Sequence, residues 1–339
     1  MAHELDKTKN GRIRMAYNDR QVPWHRLGTP MRGLQTMEAM LEAASANYDV
    51  VLTKVAAVDD SGELIRNSDG SAVIINDSRA TLRQNFDGSF DSLATVGTRY
   101  EVRQNSEVLE RALAVVGASK GDAVVDTCGC LKGGSRFFAT IDLGPLVLDA
   151  AGVNDKLDRY LVISAGHDGV WPIRYSNTEI RAVCNNTVVL GERTARRVFT
   201  ARHTRNVDTI IDDAQEVLEI STRWADEFTR SAEQLLSIKT PVSAVPDSVL
   251  KIVAPYQKAE TKRQREHRNS IEDAINSIYK NERNAAGYGY NAWSVYNAVC
   301  EYLDHYRFTS PEELAIASMD ENSSATKKKL AVQKALLGT

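Results

Sequence analysis

Two pairs of short alternating segments, each joined by a tight turn, constrain the fold of this chain more than any other feature of its sequence. The first pair, residues 123–131 and 136–143, flanks Lys132-Gly133-Gly134-Ser135. The second pair joins residues 160–165 to residues 170–175. Glycines supply the positive φ angles that tight turns need, and consecutive strands connected in this way pair antiparallel. The pattern predicts an antiparallel meander and disfavours the doubly wound parallel sheet of a nucleotide-binding enzyme.

Helical patterns dominate the second half of the chain. Alternating apolar residues begin at Tyr48, whereas residues 207–238 place apolar side chains at the three- and four-residue steps of an amphipathic helix. We therefore predict an α+β protein with an antiparallel β-hairpin or meander sheet and packed helices, followed by a mainly helical C-terminal region. The predicted units are an N-terminal arm over residues 1–33, an α+β core domain over residues 34–206, and a helical region over residues 207–339.

One helix of the C-terminal region, predicted from Asn291 to Tyr306, is apolar around much of its circumference. A helix of this kind is buried within a monomer or between subunits. Stacking on nucleic-acid bases is open to its aromatic residues Trp293 and Tyr296. Core packing is the role that we expect for them.

The composition of the whole chain limits its possible partners. A hydrophobic content of 42% and a charged content of 26% are ordinary for a soluble globular protein. The formal net charge of -3 argues against a protein that coats nucleic acid with its whole surface, but it leaves room for one basic face. No run approaches the roughly 18 apolar residues of a membrane span, and residues 1–20 contain no hydrophobic signal core. We expect a cytoplasmic protein without a membrane partner.

Residues that often carry catalysis are present without the spacing that catalysis needs. The six histidines are scattered, and the sequence contains no phosphate-binding loop, no nucleophile elbow and no His-Glu-x-x-His helix. The cysteines lack the spacing of a disulfide framework or a zinc site and are expected to be thiols; they are Cys128, Cys130, Cys184 and Cys300. We expect no enzymatic activity, no metal and no other cofactor. A metal-dependent nuclease that uses Asp126 and Asp168 remains an alternative.

Arginine is concentrated between residues 174 and 205. This stretch holds seven arginines and two acids, Glu179 and Glu192, which is a local excess of five positive charges. The planar guanidinium binds phosphate through two parallel hydrogen bonds and also stacks on bases. The stretch therefore predicts a polyanion-binding surface, extended by two residues of the first hairpin. The candidate nucleic-acid contacts are Arg174, Arg181, Arg193, Arg196, Arg197, Arg202, His203 and Arg205, with Lys132 and Arg136 from the hairpin.

The same arginines admit another interpretation. Asp208, Asp212 and Asp213 follow closely, so the basic stretch could instead contact the acidic helix that begins at Asp208. In that case the protein is a structural or regulatory assembly protein of a phage, whose basic stretch binds acidic helices of a neighbouring subunit.

Seven short motifs resemble, in their order, a phage/plasmid-like protein family that is catalogued as a domain of unknown function and associated with laterally transferred elements. The resemblance spans residues 24–305, apart from residues 240–283, and implies a phage, prophage or plasmid context in the bacterial cytoplasm. The motifs are Pro23-Trp24-His25-x-Leu27-Gly28, Val96-Gly97-x-x-Tyr100 followed by Gln104-Asn105, Gly133-Gly134, Asp168-Gly169, Arg181-x-Val183-Cys184-x-Asn186-Thr187, Arg202-His203-Thr204, and Asn297-Ala298-Val299-x-Glu301-Tyr302-x-Asp304-His305.

A β-hairpin core followed by helices also looks similar to single-strand annealing proteins of the Rad52-like class. Those proteins assemble as rings and hold DNA in a basic groove without a nucleotide cofactor, and the similarity is an analogy of fold. It implies an oligomeric single-stranded DNA binding or annealing protein of the recombination type, assembled as a ring or filament. Candidate partners are single-stranded DNA, further copies of the chain, a phage nuclease and a host single-strand binding protein.

Overall fold

The structure is a computed structural model, and its described part contains the following residues: 6–8, 10–19, 28–33, 35–120, 124–148, 154–181, 186–188, 198–203, 214–255, 261–281, 284–307 and 323–338. The strands are β1 Met15–Asn18, β2 Thr29–Met31, β3 Asp49–Ala56, β4 Ile74–Gln84, β5 Phe90–Gly97, β6 Val125–Leu131, β7 Arg136–Leu148, β8 Asp155–Gly166, β9 Ile173–Arg181, β10 Asn186–Val188 and β11 Val198–Ala201. The helices are α1 Met37–Ala43, α2 Asn105–Lys120, α3 Ala214–Ser237, α4 Asp247–Val253, α5 Lys262–Lys280, α6 Ala285–Tyr288, α7 Ala292–Glu301 and α8 Ser324–Leu337, with a π-helical turn at Tyr302–Tyr306.

Among the described residues, eight strands form the larger sheet, in the order β10-β9-β8-β7-β6-β1-β2, with β11 also paired to β9. Strands β3, β4 and β5 form a second sheet. All strand pairs are antiparallel except β1 with β2. The predicted α+β class is confirmed, with antiparallel sheets and helices in the C-terminal region. Strands β1 and β2 come from the segment predicted as an N-terminal arm.

The turn between β6 and β7 depends on glycine. Gly134 has a φ of +86°, a left-handed conformation that side chains disfavour. A Cβ atom there would lie 2.7 Å from Nη1 of Arg83 and 3.2 Å from the hydroxyl oxygen of Tyr48. That tyrosine hydroxyl donates to the carbonyl of Gly134. The second sheet is thereby locked against the end of the larger sheet.

One face of the larger sheet is buried by α1 and α2. Side chains on alternate positions of β7 face this core, as the alternation predicts: Phe137, Ala139 and Ile141 are each at most 1% exposed. Thr36 caps α1 by accepting a hydrogen bond from the Ala39 amide. We refer to this face as the inner face.

A second core lies in the helical region and includes the far end of the β7–β8 hairpin. Leu148 of β7 and Leu157 of β8 pack there with residues of α3, α4, α5 and α7. Trp293 and Tyr296 of α7 are completely buried, which confirms core packing as their role. The long hairpin therefore contacts both cores. No helix of the described part is long and apolar enough to cross a membrane.

Candidate nucleic-acid interface

The turn between β8 and β9 is built around the carboxylate of Asp168. Its Oδ1 atom accepts hydrogen bonds from the backbone amides of Val170, at 3.0 Å, and Trp171, at 2.7 Å. Its Oδ2 atom accepts from Nε of Arg136 at 2.9 Å. Gly169 has a φ of +70°, and a Cβ atom there would lie 2.9 Å from Cγ1 of Val96. These contacts fix the position at which Trp171 leaves the turn.

Trp171 lies against two guanidinium groups. The Cζ atom of Arg136 is 4.3 Å from the centroid of the indole ring, and that of Arg174 is 4.5 Å away. The indole Nε1 donates to Oγ of Ser164 at 3.1 Å, which fixes the ring on the sheet. All four side chains are half-buried. A cation over an indole face contributes about 0.5–1 kcal/mol at exposed sites and about 2 kcal/mol when desolvated.

The ion pair with Arg136 changes the titration of Asp168. Burial by itself would raise the pKa of this carboxyl group. Hydrogen bonds from the amide of Trp171, from the side chain of Arg136 and from the amide of Val170 favour the charged form and outweigh burial, so the pKa is lowered. Asp168 is therefore a carboxylate at neutral pH and neutralises the charge of Arg136, which leaves the guanidinium plane on the indole.

The arginine–tryptophan cluster belongs to the face of the larger sheet opposite α1 and α2, which we call the outer face. The strand register places Ser164 beside Arg174 and Arg174 beside Thr200. Tyr160 and Val162 of β8 lie on the same face by alternation. Thr200 is exposed, and the other four are half-buried. Around Trp171 the outer face presents polar, cationic and aromatic groups, and next to Ser164 it carries Phe138, which is buried with Met15 and Leu131. The inner face presents the larger apolar core.

The structure brings four of the predicted site residues to one end of this sheet. Arg136 and Arg174 share the indole of Trp171. Lys132 is exposed in the turn that precedes Arg136, and Arg202 is exposed directly after β11. Arg181 ends β9, but its side chain lies outside the described residues. Other predicted contacts also lie outside them: Arg193, Arg196, Arg197 and Arg205.

His203 is inside the protein and is left out of the contact surface. Its side chain is only 6% exposed, and its ring stacks on Tyr100 at 5.0 Å. Its Nδ1 atom lies 3.3 Å from the carbonyl of Glu101. Burial lowers the pKa of His203 to about 4, partly opposed by that carbonyl. The imidazole is therefore neutral at pH 7 and cannot supply a positive charge to a phosphate.

A second neutral histidine, His167, joins the two sheets behind Asp168. Its Nε2 atom lies 2.9 Å from Oδ1 of Asn105, and its carbonyl accepts from the hydroxyl of Thr81 at 2.7 Å. Its backbone amide donates to the carbonyl of Ser135. Burial, followed by the neighbouring His203, lowers the pKa of His167 to about 3. Motifs that are distant in sequence, from Asn105, Gly134, Asp168 and His203, thus meet at this end of the sheet.

The remaining candidate groups do not form a second reactive site in the described part. Cys128 and Cys130 are completely buried, and burial raises the pKa of both thiols. No group of three or more His, Cys, Asp or Glu side chains there could hold a metal ion. Asp126 accepts from Thr127, whereas Asp168 pairs with Arg136. Thr127, next to Asp126, pairs with Thr140 of β7. Thr140 is four residues from Arg136, the partner of Asp168, which corresponds to about 13 Å along the strand. This separation does not favour a metal ion shared by Asp126 and Asp168.

Trp171 is the site residue that the sequence patterns missed. The sequence offered only a lone tryptophan two residues after Gly169, inside the strand predicted over residues 170–175. Ser164 carried no signal, because its contact with the indole depends on strand register.

The fold and the cluster define an α+β protein with a cationic and aromatic site on one face of a large antiparallel sheet. A family model described as a domain of unknown function, DUF932, matches residues 92–330, which include the cluster and most of the helical region. The chain belongs to the DUF932 family. Searches of curated proteins and of solved structures find no match. The predicted membership of a family of unknown function is confirmed; the phage or plasmid context and the likeness to Rad52-like proteins stay predictions.

Proposed function

We propose that this protein binds single-stranded DNA along the outer face of its larger sheet and assembles as an oligomer that anneals strands. The observation that carries the proposal is the indole of Trp171 on the outer face, with the guanidinium groups of Arg136 and Arg174 at 4.3 and 4.5 Å from its ring centroid. All three side chains are half-buried. Indole and guanidinium planes stack on bases of any sequence, and cations beside them follow the phosphates. Bases in a duplex have no free faces, so this chemistry selects a single strand.

Two parts of the cluster have different roles in this proposal. Arg136 is neutralised by Asp168, so it supports the indole and offers a plane more than a charge. Lys132 and Arg202 are exposed at the same end of the sheet and supply positive charge, together with Arg174. The annealing activity rests on the analogy of fold with Rad52-like proteins, and the phage context rests on the resemblance of the sequence motifs. No nucleotide cofactor is part of the proposal.

Fluorescence anisotropy with a labelled oligonucleotide at low salt tests the proposal. The double variant Trp171→Leu with Arg174→Ala is expected to bind at least tenfold more weakly, because each stacked base contributes about 1–3 kcal/mol. Affinity of the wild type is expected to fall steeply with salt, because bound phosphates release counterions. The matched control is Arg66→Ala, an exposed arginine in the segment between β3 and β4 that donates to the Gly70 carbonyl. Absence of binding at low salt, or equal weakening by the control, contradicts the proposal.

A further double variant tests the part of the basic stretch that precedes β11. Arg196→Ala with Arg197→Ala is expected to weaken binding and to reduce the salt dependence by about one counterion for each lost phosphate contact. Unchanged binding would restrict the interface to the end of the sheet around Trp171.

The assembly-protein alternative is favoured by one observation, the ion pair between Arg136 and Asp168 at 2.9 Å. It demonstrates that an arginine of the predicted set contacts an acid of the protein itself. If the other arginines do the same across subunits, the oligomer dissociates as salt rises and DNA is ignored. Light scattering across a salt series, with and without oligonucleotide, separates this alternative from DNA binding.

A further inference from the structure

The turn between β8 and β9 carries an apolar side chain that the packing of the fold does not use. Val170 is 80% exposed, the largest value among the exposed large apolar residues of the described part. A single exposed valine is ordinary on a protein surface. The position of Val170 distinguishes it, because this residue directly precedes Trp171, whose ring lies on the outer face.

Hydrogen bonds hold the backbone on both sides of the valine side chain. Oδ1 of Asp168 accepts from the amide of Val170 at 3.0 Å and from the amide of Trp171 at 2.7 Å. Oδ2 of the same carboxylate is paired with Arg136, so the carboxylate cannot rotate away without losing this ion pair. The peptide groups that carry the valine and the indole are therefore fixed to one anchor.

Close packing restricts the same turn further. A Cβ atom at Gly166 would lie 2.5 Å from Cβ of Trp171 and 2.7 Å from its carbonyl oxygen. The backbone that leaves the turn thus passes directly against the end of β8. Pro172 follows Trp171, and a residue that precedes proline is restricted to extended backbone. The turn is a rigid support for its two exposed groups.

The valine side chain is itself stiff, because branching at Cβ restricts its χ1 rotamers. Its Cα atom is about 3.8 Å from that of Trp171, which is close to the rise of about 3.4 Å between successive nucleotides of a stacked strand. A base in contact with the indole therefore brings the next base within reach of Val170. A rigid apolar group beside a stacking surface resembles the wedges that DNA-binding proteins insert between base steps.

Insertion of such a wedge separates two bases and removes the contact between them. The lost stacking is offset in two ways: one base gains the indole, and the valine side chain leaves water. Within a duplex the same insertion also weakens base pairing. Opening is therefore most favourable at a duplex end, where fewer neighbouring pairs hold the bases together.

We propose that Val170 is a wedge that unstacks neighbouring bases, and that the protein opens hairpins and duplex ends as it binds DNA. The inference rests on the proposed DNA binding at the outer face and adds an activity to it. The substrate is a DNA strand that is partly base-paired. An annealing protein needs this activity, because self-paired segments hide the bases that must find their complement.

Circular dichroism of an adenine oligonucleotide, recorded above the protein bands, measures base stacking in the bound strand. Saturation with the wild-type protein is expected to reduce the stacking signal. Val170→Ser is expected to leave most of the signal at saturation, and its affinity is expected to fall by no more than about threefold, because the indole and the cations remain. Val170→Ile keeps a β-branched apolar side chain and is expected to behave as the wild type.

The matched control is Val242→Ser, which removes an exposed valine of the helical region, 61% exposed, between α3 and α4. It is expected to leave both affinity and unstacking unchanged. Val170 is so exposed that its replacement by serine is expected to leave the urea unfolding curve unchanged. A loss of unstacking in Val170→Ser then comes from the side chain and not from a misfolded turn.

A hairpin with a single-stranded tail, labelled with a fluorophore and a quencher at the end of its stem, tests the opening activity. Stopped-flow fluorescence at equal saturation of the tail is expected to give faster opening with the wild type than with Val170→Ser. Equal rates would mean that the protein captures bases that fray by themselves, and this result overturns the wedge.

The outcomes also separate the wedge from the proposed function. Binding of the adenine oligonucleotide with undiminished stacking overturns the wedge and leaves DNA binding intact. Equal unstacking by the wild type and Val170→Ser has the same consequence. Absence of binding to any oligonucleotide at low salt overturns both.

Discussion

Trp171 and Trp293 lie at opposite ends of the β7–β8 hairpin and use the same indole donor in different surroundings. Trp171 donates to Ser164 at 3.1 Å, is half-buried, and has guanidinium groups near its ring. Trp293 donates to the carboxylate of Asp155 at 2.9 Å and is completely buried. Its ring packs edge-on against Phe228 and stacks on Tyr296.

The difference between the two ends shows how burial assigns a role to a side chain. At the far end of the hairpin, the indole of Trp293 is enclosed by apolar and aromatic neighbours, so this ring stabilises the fold. At the near end, polar groups position the indole of Trp171 but do not enclose it. A ring that is held in place and still accessible can bind a ligand with little loss of side-chain freedom. This comparison motivates four predictions.

The largest effect is expected from Trp293→Ala. Removal of a completely buried indole costs about 3–5 kcal/mol of folding free energy, and it also leaves the buried carboxylate of Asp155 without this donor. Urea unfolding followed by circular dichroism measures the loss. Trp293→Phe is the control that keeps the aromatic volume and loses the donor, and it is expected to cost less. A loss below about 1 kcal/mol in Trp293→Ala would contradict the enclosure described for this end.

The next effect is a pH dependence of the folding stability, caused by His167 and His203 at the end of the sheet that carries Trp171. The folded-state pKa values of His167 and His203, about 3 and about 4, lie below the ordinary value of 6.5. The unfolded chain therefore takes up protons first as pH falls. The stability that these neutral rings contribute is complete above pH 6.5 and decreases below it, until pH reaches the folded-state values. Each buried histidine contributes a loss of about 2 kcal/mol between pH 6.5 and pH 5.

Urea unfolding at a series of pH values measures this dependence. His203→Gln is expected to remove about half of the histidine contribution to the slope. His267→Gln changes an exposed histidine and is the control for the substitution itself. Equal slopes for the wild type and His203→Gln would contradict the neutral, buried state of this ring.

A smaller effect is expected from Gly134→Ala in the turn that locks the two sheets. The left-handed φ costs about 1–2 kcal/mol for alanine, and the new Cβ atom would meet Arg83, which pairs with Asp6. Gly88→Ala is the matched control, because Gly88 has a φ of +79° and open space around its Cβ position. Chemical denaturation should therefore give a larger loss for Gly134→Ala than for Gly88→Ala. Equal losses would assign the whole effect to backbone strain.

The smallest effect on stability is expected from Trp171→Leu. The ring is half-buried, and its contacts with two cations contribute about 0.5–1 kcal/mol each at exposed sites. Leucine keeps part of the apolar contact, so the net loss is expected to stay near 1 kcal/mol in urea unfolding. Trp293→Leu at the far end is the comparison and should lose several times more. A loss equal to that of Trp293→Leu would mean that both ends have the same structural role.

The alternation of β7 and the glycines of its first turn predicted the hairpin, its inner face and its antiparallel neighbours, because side chains alternate faces along any strand. The apolar circumference of α7 likewise predicted burial. The arginine stretch predicted positive charge, but composition contains no distances. The register of β7, β8 and β9 brings Arg136 and Arg174 to one indole. The turn between β8 and β9 then places Asp168 where it pairs with Arg136.

Local patterns in the sequence thus determined the element types, the antiparallel pairing and the burial of Phe137 and Trp293, since these follow from periodicity and turn chemistry over a few residues. Tertiary structure alone decided that His203 is a neutral core residue stacked on Tyr100, and that Trp171 is a fixed, accessible ring. It also decided that Val170 is exposed beside that ring. The physical reason is that charge, accessibility and pKa depend on neighbours that are brought together from distant parts of the chain.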